Sequence, residues 1–147
     1  MPAIRIVRFR PAHLDAVMAV ERASFASHAY TRAFFRHLHA ECRGFFFVAR
    51  RGRALAGYIV GCRADGAAEV VSLAVAPRFR RCRVGAALMQ HLLEALSRSG
   101  ACRLELMVRT ENLGAIRFYH RFRFRRVRLV EGYYEDGTPA WLMRRLL

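Results

Sequence analysis

Apolar and charged positions alternate at period two from the start of the chain. Ile4 and Ile6 against Arg5 predict a strand from Ile4 to Phe9. The period then lengthens. Pro11 opens a helix over roughly His13 to Ser24, with Leu14, Val17, Met18, Val20 and Phe25 near helical spacing. Ser27 to Thr31 interrupts it, and Thr31 has the side chain of an N-cap for a second helix striped by Phe34, Phe35 and Leu38. After Gly44, the run Phe45 to Ala49 is too apolar for an exposed edge strand. Arg51-Gly52-Arg53 turns the chain into a partner strand, Ala54 to Cys62, in which Gly57 marks a bulge or a close approach. Asp65-Gly66 turns again into a strand from Glu69 to Val75. A long helix from Gly85 to about Ser97 ends at Ser99-Gly100, and Leu104 to Val108 reads as the next strand. Thr110 or Asn112 starts a helix with Ala115, Ile116, Tyr119 and Phe122 on one face. Phe124 to Leu129 alternates apolar residues with arginine, as an antiparallel strand with one wet face would. Asp136-Gly137 leads into a last strand, Ala140 to Met143. The order β-α-α-β-β-β-α-β-α-β-β fits one α/β domain of 147 residues around a mixed sheet, with no linker or repeat.

Composition narrows the function. The chain is 54% hydrophobic, enough for a core. It lacks the roughly 18-residue apolar run of a membrane span, and its N-terminal alternation is not that of a secretion signal. A cytoplasmic location is expected. All 26 basic residues are arginine, and the net charge is +15. The resulting field favours anionic partners, while the absence of lysine excludes Schiff-base or P-loop lysine chemistry. Cys42, Cys62, Cys82 and Cys102 have no C-x-x-C spacing, which argues against zinc. Reduced and mostly buried cysteines are expected, their even spacing accidental.

The strand ending at Val75, the loop carrying Arg78, Arg80, Arg81 and Arg83, and the helix from Gly85 form a strand-loop-helix unit. Such a unit presents free N–H groups and the positive end of a helix dipole, a setting that suits a diphosphate. The loop lacks both the Gly-Lys-Ser/Thr ending of a P-loop and the glycine spacing of a dinucleotide fingerprint.

Four segments together resemble the GNAT superfamily of acetyl-CoA-dependent N-acetyltransferases: Ser72 to Met89, Leu104 to Asn112, Ala115 to Tyr119, and Gly132-Tyr133-Tyr134-Glu135-Asp136-Gly137. Within it the match is nearest the branch acting on protein N-termini, typified by ribosomal-protein-alanine acetyltransferases. The resemblance implies that the backbone of Leu73, Ala74 and Val75 binds the pantetheine arm of acetyl-CoA. It implies that Arg80 opens the loop signature, that Arg81, Cys82, Arg83, Val84, Gly85 and Ala86 hold the pyrophosphate, and that Asn112 touches the cofactor. Tyr119 would protonate the leaving thiolate, and Tyr133 and Tyr134 would hold the substrate peptide. The implied partner is a protein or peptide N-terminus, a ribosomal protein among the candidates, with no membrane and no primary nucleic-acid ligand.

Two positions depart from the family pattern. Arg83 stands where the family loop has its first glycine, and Met107 stands where the alanine-acetylating branch carries a glutamate base. Methionine accepts no proton, which leaves Glu69 as the candidate base, with Glu21 and His28 behind it. Weak base assistance suits an α-amine. At a pKa of about 7.7–8.0 roughly a tenth is neutral at pH 7, against about 0.04% for a lysine at about 10.4. The competing readings are a small-amine acetyltransferase, disfavoured for polycations by the basic surface, and a GNAT-fold protein that binds RNA or the ribosome without catalysis.

Overall fold

In the computed structural model, which describes residues 3–147, seven strands form one sheet in the order β1-β2-β3-β4-β5-β7-β6. They are β1 (Ile4–Arg8), β2 (Phe46–Arg51), β3 (Ala54–Ala64), β4 (Ala67–Val75), β5 (Arg103–Arg109), β6 (Arg125–Val130) and β7 (Ala140–Leu146). The helices are α1 (Leu14–Phe25), α2 (Arg32–Glu41), α3 (Val84–Arg98) and α4 (Leu113–Arg121). Only β4 and β5 pair in parallel, with α3 as the crossover between them. The element order is the one expected, and the domain is α/β around a mixed sheet. No helix among the described residues is long and apolar enough to cross a membrane.

Helices cover both faces. Leu88, Leu92 and Leu96 of α3 and Ile116 of α4 pack with Ile59, Leu104, Leu106 and Met143 on one face. Val17 and Met18 of α1 and Phe35 and Leu38 of α2 pack with Phe46, Val48, Tyr58 and Val60 on the other. Thr31 caps α2 as its side chain promised: Oγ1 accepts the Phe34 N–H at 3.1 Å. Gly57 is a close approach, since a Cβ there would lie 2.7 Å from the Ala74 carbonyl oxygen.

A bulge in β4 shapes the middle of the sheet. Val60 pairs with Ser72 and Gly61 with Val70, which leaves Val71 as an extra residue. The extra residue reverses the alternation. Ala68 and Val70 before it, and Leu73 and Val75 after it, all contribute to the α3 side, whereas Val71 and Ala74 belong to the α1 side.

Three expectations are corrected. Cys42 and Cys62 are not free thiols but form a disulfide, with Cα atoms 4.7 Å apart. Cys42 follows α2 and Cys62 lies in β3, so the packing of α2 on the sheet brings them together. Cys82 is half-buried and Cys102 exposed, so burial is not the rule for the cysteines. Phe25, expected on the buried stripe of α1, is exposed because it sits in the helix's last turn, at the edge of the core. Finally, β6 is wet on both faces rather than one: Val127 and Leu129 are exposed. It is the sheet's edge, with β7 on one side only, and a further bulge between Arg126 and Arg128 interrupts its pairing.

Candidate active site

The sheet opens between its two parallel strands. Pairing of β4 with β5 is confined to Ala67↔Arg103, Ala68↔Leu104 and Glu69↔Glu105. Beyond Glu69 the strands diverge at the bulge, and Leu73, Ala74 and Val75 have no partner strand on the β5 side. A parallel sheet interior rarely leaves backbone groups without partners, so an unpaired edge here is a place for a ligand's amides.

On the α3 side, the opening meets the loop between β4 and α3. In the first turn of α3 the N–H groups of Val84, Gly85 and Ala86 have no intrahelical partner. Arg81 (φ 63°) and Arg83 (φ 62°) both occupy the left-handed region. Arg83 thus adopts the backbone conformation that glycine takes freely, at a cost of about 1–2 kcal/mol for an L-residue. The loop keeps its shape despite the missing glycine. Arg83→Gly is therefore expected to raise unfolding stability by about 0.5–1 kcal/mol in a chemical denaturation, the relief of strain exceeding the added chain entropy. Arg80 closes the loop onto the strand, its Nε donating to the Val75 carbonyl at 3.2 Å. Unpaired amides, a helix N-terminus and arginines together fit a pyrophosphate.

Asn112 caps α4 and Tyr119 lies along it; the helix meets this region at Phe118, whose ring would lie 3.5 Å from a Cβ on Gly85. Asn112 Oδ1 caps the helix by accepting the Ala115 N–H at 3.1 Å, which leaves its amide NH2 free. Tyr119 packs edge-on against Phe118 and Phe124, and its hydroxyl makes no hydrogen bond within the described chain. Burial first, and then Tyr134, push that hydroxyl up to about 12, so it stays protonated at neutral pH.

On the α1 side, Glu69 sits at the vertex. Partial desolvation, followed by the like charge of Glu105, raises its carboxyl above the usual range. Glu105 is itself neutralised by Arg144, whose Nε lies at 2.6 Å. Two tyrosines feel the charge of Glu69, and a third, Tyr134, adjoins them. Tyr30, from the segment between α1 and α2, feels the charges of Glu21 and Glu69, and Tyr133, from the β6–β7 loop, feels that of Glu69. Tyr133 and Tyr134 stand edge to face at 4.9 Å, and the Arg109 guanidinium lies 4.0 Å over the Tyr134 ring. Arg109 in turn binds Asp136 at 2.9 Å. The Thr138 N–H, its hydroxyl and Arg109 hold the Asp136 carboxyl down at about 2.

The other two base candidates are occupied elsewhere. Glu21 is buried, and its carboxylate accepts the Tyr30 N–H at 2.8 Å and the Tyr58 hydroxyl, which also contacts Ser72 at 2.8 Å. It fixes the backbone at Tyr30 instead of facing the opening. His28 lies 3.7 Å from Asp136, tying the α1–α2 segment to the β6–β7 loop across the mouth of the cleft. Met107 is half-buried in β5, paired with Leu142. The sequence pattern did not single out Tyr30, Glu105 or Arg109; an exposed aromatic beside a cap residue was the one available signal, and it pointed to Tyr30.

Residues 14–124 match the Acetyltransferase (GNAT) family, and the chain belongs to it. It is an acyltransferase of that family, with acetyl-CoA as the donor. It is 35% identical over 141 residues to an uncharacterised N-acetyltransferase of Methanocaldococcus jannaschii, covering 94% of this chain and 88% of that one. It is 30% identical over 152 residues to the N-alpha-acetyltransferase of Sulfurisphaera tokodaii, covering 95% and 90%. Among solved structures, Ard1 from Thermoplasma volcanium superposes with a TM-score of 0.94 at 33% identity, covering 99% and 98% of the two chains. NAA60 from Arabidopsis thaliana, solved with acetyl-CoA, shares the fold at a TM-score of 0.84 and 20% identity, covering 99% and 100%.

Proposed function

We propose that the chain acetylates the N-terminal α-amine of a protein or peptide. The observation that carries this reading is the two-sided opening at the β4–β5 divergence: unpaired amides and arginines on the α3 side, and a tyrosine-lined cleft with a carboxylate at its vertex on the α1 side. The N-alpha-acetyltransferase from Sulfurisphaera tokodaii supports it by name.

Acetyl-CoA supplies the acetyl group as a thioester. The backbone edge of Leu73, Ala74 and Val75 takes the pantetheine arm; the N–H groups from Arg81 to Ala86, with the Arg80 and Arg81 side chains, take the phosphates; the free NH2 of Asn112 adds a contact. Tyr30, Tyr133 and Tyr134 hold the peptide so that its amine lies between Glu69 and Tyr119. Glu69 accepts the amine proton on the α1 side, and the Tyr119 hydroxyl donates its proton on the sulfur side. A single carboxylate base is adequate for an α-amine, of which about a tenth is already neutral at pH 7.

The two faces are separable in kinetics. Tyr133→Ala is expected to raise the peptide KM about tenfold or more while the acetyl-CoA KM stays within twofold, because Tyr133 is exposed and lies within the charge of Glu69. An equal rise in both constants would contradict the division of the cleft. Met107→Glu places a further carboxylate two residues beyond Glu105 on the same face of β5. It is expected to raise kcat below pH 7, read by initial rates with cofactor affinity unchanged; a slower enzyme would show that the vertex tolerates no further charge.

A further inference from the structure

A depression of about 590 Å³ lies between the C-terminal half of α3, the end of α4 and the end of β7. Its wall carries Arg98, Arg121, Arg123 and Arg145, with Phe122 among them and Glu94 as the one acidic neighbour. It is distinct from the transfer cleft. Ser97 is about 20 Å along α3 from Val84, at a rise of about 1.5 Å per residue.

The arginines are crowded and uncompensated. None of the four reaches a carboxylate among the described residues, where the arginine ion pairs are those of Arg32, Arg109 and Arg144. Glu94 instead accepts a hydrogen bond from Gln90 at 3.2 Å. Arg98 and Arg121 lie in the last turns of helices, whose carbonyl ends favour a cation. Arg123 directly follows the C-cap of α4, its N–H donating to the His120 carbonyl, and shares that field, whereas Arg145 on β7 does not. Arg145 is anchored by Nη1 on the Phe122 carbonyl at 3.0 Å, partly buried, and lowered in pKa by that burial and by Arg123. Arg123 sits at φ 68°, a strained position in the turn leading to β6. Like-charge repulsion at one place is offset when an anion binds there.

The basic surface does not stop at the depression. Arg125, Arg126 and Arg128 continue along β6, the free edge of the sheet, and Arg126 lies 5.1 Å over the Trp141 ring. A small phosphate compound would need only the depression. Arg126 lies opposite Met143 on the face of the depression, and Arg125 and Arg128 lie opposite Arg144 and Leu142 on the other face, so one ligand meeting all of them must bend round the free edge, as a flexible single-stranded polyanion does. We propose that the depression and the β6 edge form a second site, separate from acetyl transfer, that binds the phosphodiester backbone of single-stranded nucleic acid.

The test is fluorescence anisotropy of labelled 12-nucleotide oligouridylate and oligothymidylate, titrated at 50 to 200 mM salt, with uridine triphosphate as competitor. Four phosphate contacts predict about a 50-fold loss of affinity across that range. The variant Arg98→Gln/Arg121→Gln/Arg123→Asn is expected to weaken binding at least tenfold and to flatten the salt slope by about 2. A charge-matched control, Arg5→Gln/Arg36→Gln/Arg43→Gln, is expected to change affinity less than threefold. Acetyl-CoA titration should be unchanged in both, which also separates misfolding from loss of the site. Tighter binding of one oligomer names RNA or DNA as the ligand. Absence of binding at 50 mM salt, equal losses in the two variants, or displacement by uridine triphosphate at the oligomer's own affinity would overturn the proposal.

Discussion

Tyr119→Phe is expected to lower kcat about a hundredfold while acetyl-CoA affinity stays within twofold, the size of effect that loss of a positioned acid produces. The substitution removes one oxygen from a ring that remains packed on Phe118 and Phe124, so fold and cleft survive. The hydroxyl has no protein partner to leave unsatisfied, and its pKa of about 12 means that it carries the proton at every pH at which the domain would be assayed. Steady-state rates with calorimetric acetyl-CoA binding separate the two quantities. Activity equal to the parent's would remove Tyr119 from the proton path, and equal losses in rate and affinity would make it a binding residue instead.

Glu69→Gln is expected to act through pH. The Glu69 carboxyl is raised, so as pH falls through that raised value the base is lost and the parent rate declines. Above it and below the α-amine's pKa of about 7.7–8.0, the parent holds a plateau, because the carboxylate takes the proton of an ammonium substrate. The variant depends on amine that is already neutral, so its kcat/KM should fall tenfold per pH unit below about 8. The loss is expected to be about 100-fold at pH 6.5 and less than about tenfold at pH 9. A pH-independent loss would indicate positioning of the substrate, with the proton going directly to water.

The parts of this molecule that were legible in its sequence are those decided by local chemistry. Period-two and helical spacing placed the strands and helices in order, Thr31 announced its cap, and Asp65-Gly66 and Asp136-Gly137 announced turns. The loop before α3 was recognisable because backbone amides and arginines gather there. What escaped was tertiary. The extra residue at Val71 lies within Val-Val-Ser, a run with no marker of a bulge, yet it coincides with the parting of β4 from β5 and with the change of face between Glu69 and Leu73. Tyr30 joins Tyr133 and Glu69 only because Glu21, buried against Tyr58, holds its backbone. The Cys42–Cys62 bond depends on where α2 lies on the sheet. The β6 alternation read as a half-buried strand because sequence does not say that α4 ends before covering an edge.

Substrate choice is decided by comparing two peptides of the same length and charge: one with a free N-terminal amine and no lysine, the other N-terminally blocked with one lysine. Each is incubated with the enzyme and acetyl-CoA at pH 7, and the acetylated atom is read by fragment mass spectrometry with initial rates. Acetylation of the α-amine is expected at a rate at least about a hundredfold above that of the lysine, following the difference in neutral amine at pH 7. Faster transfer to the lysine, or none to the α-amine while acetyl-CoA binds, would contradict α-amine acetylation as the function of this cleft.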